Sequence, residues 1–146
     1  MTIYRQEFQI REMDFIHAGE ASIQVKNILK EVGAGPELIR RVAIAAYEAE
    51  INAVVYGKDG RMIVELDQDK VVIVVEDQGP GIPDIDLAMR EGYSTAPPEI
   101  REMGFGAGMG LPNIKKNSDK LTITSEVGRG VRLEIVFNSG WARAGS

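Results

Sequence analysis

A glycine-rich stretch at residues 92–110 separates two runs of strand-like alternation, and it limits the possible folds more than any other feature of this sequence. It contains Gly104, Gly106, Gly108 and Gly110 as well as Pro97 and Pro98. Loops beyond about 12 to 15 residues inside a compact domain generally serve a ligand or are disordered. The core must therefore be built from what lies on either side.

Before the stretch, Met62, Val64 and Leu66 alternate with polar residues, Asp67, Gln68, Asp69 and Lys70 turn the chain, and residues 71–75 are all valine or isoleucine. This predicts a hairpin with a central strand. After it, Leu121 and Ile123 alternate, residues 128–130 turn, and Val131, Leu133, Ile135 and Phe137 alternate again, which predicts a second hairpin. Residues 3–10 alternate loosely and read as an edge strand. Over residues 18–32, Ala21, Val25, Ile28 and Leu29 recur at helical spacing, and Gly33 and Gly35 follow as stop signals. Pro36 then opens a longer helix, whose stripe of Leu38, Val42, Ala45, Ala49, Ala53 and Tyr56 runs to Gly57. Hairpins beside helices predict an α+β two-layer sandwich, a mixed or antiparallel sheet with helices on one face. One domain over residues 1–138 and a frayed tail at residues 139–146 are expected.

Composition narrows the chemistry. The 146 residues, 44% of them apolar, suffice for a single core. The absence of cysteine excludes disulfides, thiolate metal sites and cysteine nucleophiles. A single histidine, His17, excludes a histidine-based metal site and reads as a surface or helix-start residue. A net charge of −5 argues against a nucleic-acid partner. With neither a signal peptide nor an apolar run long enough to span a bilayer, the expected location is cytoplasmic, with no membrane partner.

Three constellations carry candidate chemistry. Glu48 and Asn52, four apart on the long helix, share a face and can serve one site. A carboxylate able to accept a proton beside an amide oxygen able to ligate Mg²⁺ suits phosphoryl transfer. Asp77-Gln78-Gly79-Pro80-Gly81 directly follows the valine-rich strand, and its two glycines let backbone approach a ligand; an ordinary turn is the alternative. Third, Gly104-Phe105-Gly106-Ala107-Gly108-Met109-Gly110-Leu111 feeds a helix ending near Asn117, where amides and a helix N-terminus can cradle phosphate. Neither a Walker loop nor a dinucleotide-binding fingerprint is present.

In this order the three constellations resemble the GHKL superfamily of ATPases and kinases, whose Bergerat fold has a helix with an Asn, then Asp-x-Gly-x-Gly, then a glycine-rich lid. The resemblance covers roughly residues 5–137 and is strongest to bacterial anti-sigma-factor serine kinases and stress-module switch kinases. It implies ATP and Mg²⁺ as cofactors, with Asn52 on Mg²⁺, Asp77 accepting from the adenine amino group, and Gly79 and Gly81 forming the adenine floor. Glu48 stands where those kinases carry a general base. Thr95 and the segment Gly104, Gly106, Gly108, Met109, Gly110 and Leu111 would contact the nucleotide, and Arg101 or Lys115 would neutralise developing charge. One departure is Gly130-Val131, where the family commonly has Gly-Thr; another is residues 96–100, inserted ahead of the glycines.

The leading expectation is thus an ATP- and Mg²⁺-dependent serine/threonine protein kinase acting on a STAS (anti-anti-sigma-like) domain in a partner-switching module. The alternative is a nucleotide-gated anti-sigma factor that mainly sequesters a sigma factor. A chaperone- or topoisomerase-type fragment ranks third, because those machines couple the pocket to further domains. The resemblance allows a homodimer, although no sustained heptad marks an interface.

Overall fold

The computed structural model describes residues 4–90, 98 and 110–138. Along the chain run β1 (Tyr4–Ile10), α1 (Glu20–Glu31), α2 (Pro36–Tyr56), β2 (Gly60–Leu66), β3 (Val71–Asp77), the short α3 (Ile85–Ala88), α4 (Gly110–Asn117), β4 (Lys120–Glu126) and β5 (Gly130–Phe137). The strands form one sheet in the order β1-β2-β3-β5-β4. Every pairing in it is antiparallel, which decides between the two sheet types the sequence left open. The expected first helix is two residues shorter at its start, and α3, capped by the Asp84 side chain on the Leu87 N–H, was not foreseen. The expected tail, residues 139–146, lies outside the described residues.

Register aligns the alternating apolar residues into rows across the sheet. Phe8, Met62, Val75, Leu133 and Ile123 face one another strand to strand, as do Tyr4, Leu66, Val71 and Phe137. These rows meet the apolar stripe of α2, where Val42, Ala45, Ala46 and Ala49 are fully buried. Alanine at these positions lets the helix lie close to the sheet, and α1 and α4 pack against α2 on the same layer. The opposite face of the sheet is charged: Arg61 bridges Glu7 and Glu76, and Arg132 pairs with Glu76 and Glu134. Such exposed pairs add little stability, but they keep the uncovered face polar. No described helix is long and apolar enough to cross a membrane.

The main polar group in the core is Glu50, 3% exposed, on the side of α2 that meets α1. Its carboxylate accepts from the backbone N–H groups of Gly19 (2.9 Å), Ser22 (2.9 Å) and Ala21 (3.3 Å). These are orphan donors at the start of α1, whose own N-cap residue, Gly19, has no side chain to satisfy them. A carboxylate also complements the positive end of the helix. Glu50 therefore caps α1 from another helix and fixes the α1–α2 pair.

Replacing Glu50 by Ala leaves these buried N–H groups unpaired and is expected to lower the unfolding free energy by roughly 3 kcal/mol. Urea denaturation measures this; a loss below 1 kcal/mol would show that α1 does not depend on the cap.

Candidate functional site

The inner-face rows of the sheet are apolar until the last one. There Asp77 of β3 stands opposite Val131 of β5, which stands opposite Ser125 of β4. Polarity thus enters the interior at one end of the sheet, beside the C-terminal half of α2.

Asp77 is enclosed by glycines from three segments. A Cβ on Gly57, just past α2, would lie 2.8 Å from Asp77 Cγ. One on Gly79 would lie 2.9 Å from the Tyr56 carbonyl oxygen and 3.0 Å from Asp77 Oδ1. One on Gly130, at φ +107°, would lie 2.0 Å from the Asp77 carbonyl oxygen. No side chain fits at any of these points, so backbone forms the walls around the carboxylate. The Gly79 N–H donates to Asp77 Oδ1 at 2.8 Å, and the Gln78 N–H holds the loop to the Lys58 carbonyl at 2.7 Å. Burial pushes the Asp77 carboxyl above its ordinary range, partly offset by backbone N–H groups of Gly79, Val131 and Lys58.

Across from this floor, Glu48 and Asn52 lie on the face of α2 that meets α4. A Cβ on Gly110, the first residue of α4, would lie 3.0 Å from Asn52 Oδ1. One turn further along α4, the Asn113 side chain hydrogen-bonds Glu48. At the far end, Arg41 Nε donates to the Asn117 carbonyl at 3.0 Å, and its guanidinium reaches Asp119 at 3.2 Å and lies over the Phe137 ring. The two helices thus run antiparallel, joined at Asn52–Gly110, Glu48–Asn113 and Arg41–Asn117. Burial raises the Glu48 carboxyl, with the Asn113 hydrogen bond acting the other way. A half-buried carboxyl so raised suits proton transfer better than an ordinary surface glutamate.

Of the residues expected from sequence, Glu48, Asn52 and Gly110 meet on the α2–α4 face, and Asp77 and Gly79 form the floor. Gly81 (φ +85°) turns toward the β4–β5 hairpin, where a Cβ would lie 2.7 Å from the Glu126 carbonyl oxygen. Leu111 is buried in the core, and Lys115 is exposed on α4. Thr95, Arg101, Gly104, Gly106, Gly108 and Met109 lie outside the described residues. Sequence reasoning missed Gly57, read only as a helix stop, and the close approach of Gly130 to Asp77, along with Arg41, Asn113 and Ser125. The glycines could have been flagged by their positions flanking the two motif-bearing elements; the other three are ordinary polar residues whose role depends on tertiary contact.

The fit to a nucleotide can be judged from this geometry. A half-buried acceptor set among glycine walls suits a flat heterocycle carrying an amino group, and an amide oxygen at a helix start suits a hard cation shared with phosphate.

Residues 37–139 match the family model described as histidine kinase-, DNA gyrase B-, and HSP90-like ATPase. A serine/threonine-protein kinase of Bacillus subtilis, RsbT, is 33% identical over 115 residues, covering 76% of this chain and 80% of the relative. An anti-sigma F factor of Clostridium kluyveri is 31% identical over 126 residues, covering 82% and 85%. Among solved structures, the mycobacterial sensor histidine kinase MprB superposes with a TM-score of 0.53 at 18% identity, covering 92% of this chain and 97% of that one, which speaks to the fold alone.

Two outcomes follow from the packing around Asp77. Gly130→Ala is expected to cost at least about 2 kcal/mol in urea denaturation, and more than Gly128→Ala, whose Cβ would meet nothing within 4 Å. Because burial makes the folded chain hold the Asp77 proton to higher pH than the unfolded chain does, this group's contribution to stability falls as pH rises from about 4 through its folded pKa. Asp77→Asn removes that contribution, so stability relative to wild type should improve from pH 4 toward neutrality; a constant difference would contradict the burial effect.

Proposed function

The chain belongs to the histidine kinase-, DNA gyrase B-, and HSP90-like ATPase family, and we propose that it is an ATP-dependent serine/threonine protein kinase of a partner-switching module, with a STAS domain as phosphoacceptor. The observation that carries this reading is Glu48: a half-buried carboxyl with a raised pKa, held by Asn113, one turn from Asn52 on the same helix face. A protein that only bound nucleotide would need no base there.

ATP bound with Mg²⁺ supplies the transferable phosphoryl group. Asp77 would accept a hydrogen bond from the amino group of the base, while Gly57, Gly79 and Gly130 let backbone close around its carboxylate. Asn52 would hold Mg²⁺ through its amide oxygen, which Gly110 at the start of α4 leaves uncrowded. Glu48 takes the proton from the attacking serine or threonine hydroxyl, and its raised pKa brings it nearer to neutrality, where a base transfers protons most effectively. The kinship with anti-sigma F factors favours a second, compatible role in holding a sigma factor, with the nucleotide state setting affinity. With such partners the chain would act in the cytoplasm.

Calorimetric titration of ADP and ATP with Mg²⁺ is expected to show micromolar binding that Asp77→Asn and Asn52→Ala each weaken. Glu48→Ala should retain that binding yet lose phosphotransfer to a STAS domain by about a hundredfold or more. Full transfer by Glu48→Ala would remove the base assignment, and no binding by wild type would leave a fold acting through protein contacts alone.

A further inference from the structure

The loop that follows Asp77 is held at both ends, and its downstream anchor is a side chain outside every motif of the sequence. Upstream, the Gly79 N–H fixes the rotation of the Asp77 carboxylate by occupying Oδ1. Three residues later the Ile82 N–H donates to Ser125 Oγ at 2.6 Å. The Ser125 hydroxyl has its own acceptors in the Gly130 carbonyl (3.4 Å) and the Ile82 carbonyl (3.5 Å). Between the two anchors, the Pro80 carbonyl accepts from the Gly128 N–H at 2.8 Å. Gly81 lies so close that its Cβ would sit 3.1 Å from Ser125 Oγ. The loop is thus clasped to the β4–β5 hairpin, with Ser125 the only side chain described that hydrogen-bonds between them.

A hydroxyl is out of pattern at this position. The inward-facing residues before it on β4, Leu121 and Ile123, are apolar and pack on the core. Ser125 breaks that alternation in the row it shares with Asp77 and Val131.

We propose that Ser125 is a positioning residue for base recognition: by holding the turn at Ile82 it keeps Gly79 against Asp77, and so sets the preference of the site for adenine over guanine nucleotides. The chemistry behind the preference is simple. A fixed carboxylate acceptor pairs with the amino group that adenine carries at C6, whereas guanine presents a carbonyl oxygen there, which a carboxylate repels. A carboxylate free to rotate loses much of that selectivity. This inference rests on the nucleotide-binding reading given above.

The test is titration of ADP and, separately, GDP, each with Mg²⁺, into wild type, Ser125→Ala, Ser125→Cys, Ser125→Thr and, as a control on the outer face of the same strand, Thr124→Ala. Expected are weaker ADP binding, by about tenfold, in Ser125→Ala and Ser125→Cys, with GDP binding nearly unchanged, so that the ADP-to-GDP affinity ratio falls. Ser125→Thr, which keeps the hydroxyl, should restore the ratio, and Thr124→Ala should leave it at the wild-type value. If Ser125→Ala fails to fold, the isosteric Ser125→Cys, with its weak acceptor, carries the measurement. An unchanged ratio in the Ala and Cys variants, including equal weakening of both nucleotides, would reduce Ser125 to a structural contact and overturn the proposal. A wild type that binds neither nucleotide would instead overturn the nucleotide reading itself, and the assignment of Ser125 with it.

Discussion

The structure depends on a close approach of backbone to backbone around Asp77. The turn after α2, the loop after β3 and the start of β5 come together within distances that exclude any Cβ at Gly57, Gly79 and Gly130. Substituting any one would push two elements apart, because the obstructing atoms are mostly backbone or the carboxylate itself rather than the tip of a flexible side chain. Helix layer and sheet layer are therefore joined at this end by main chain, while elsewhere they are joined by side-chain packing. A carboxylate in such a setting is desolvated by backbone rather than by apolar side chains. That explains why its raised pKa is tempered by N–H groups from the same walls.

The long helix α2 divides its surface among three tasks, and helical periodicity keeps them apart. Its alanine stripe lies on the sheet, Glu50 is turned toward α1 to cap it, and Glu48 and Asn52 meet α4. Glu48 and Glu50 are two residues apart, about 200° around the helix, so one carboxylate can be a structural cap while the other serves the site. The two differ in what satisfies them. Glu50 accepts three backbone N–H groups, whereas Glu48 has a single described partner, a side chain on the helix that follows the glycine-rich stretch. Glu48, with that single described partner, keeps acceptor capacity for a further hydrogen bond.

Much of this architecture was legible in the sequence, because it is written in periodicity. Alternation marked four of the five strands, a continuous valine and isoleucine run marked β3, the apolar stripe marked α2, and Gly33 and Gly57 stand close to where the helices stop. Asp77 and Gly79 were legible because turn formers directly after a buried strand place a carboxylate and close backbone at a strand end. The choice between a mixed and an antiparallel sheet was not legible, since nothing local shows which strand lies between which. Nor could Asn113, Ser125 or Arg41 be singled out: each acts through a partner 43 to 76 residues away in the chain, such as Arg41 on the Asn117 carbonyl or Ile82 on Ser125. Glu50 lies between Glu48 and Asn52 in the sequence, yet the three N–H groups that make it necessary belong to the start of another helix.

The same distinction bears on how function is distributed over this fold. Residues recognisable from sequence, Glu48, Asn52, Asp77 and Gly79, carry groups that would touch a ligand. Residues recognisable only in three dimensions hold those groups still: Arg41 ties down the end of α4, Asn113 sets Glu48, and Ser125 secures the loop that sets Asp77. A kinase and a sigma-binding factor can share the first set, since both need nucleotide. What separates transfer from mere binding is how tightly the base is oriented relative to the phosphate, because a proton acceptor works only within hydrogen-bond reach of the hydroxyl it serves. With Glu48 as the proposed base, that orientation would pass through the α2–α4 contact, where Asn113 of the helix following the glycine-rich stretch hydrogen-bonds it.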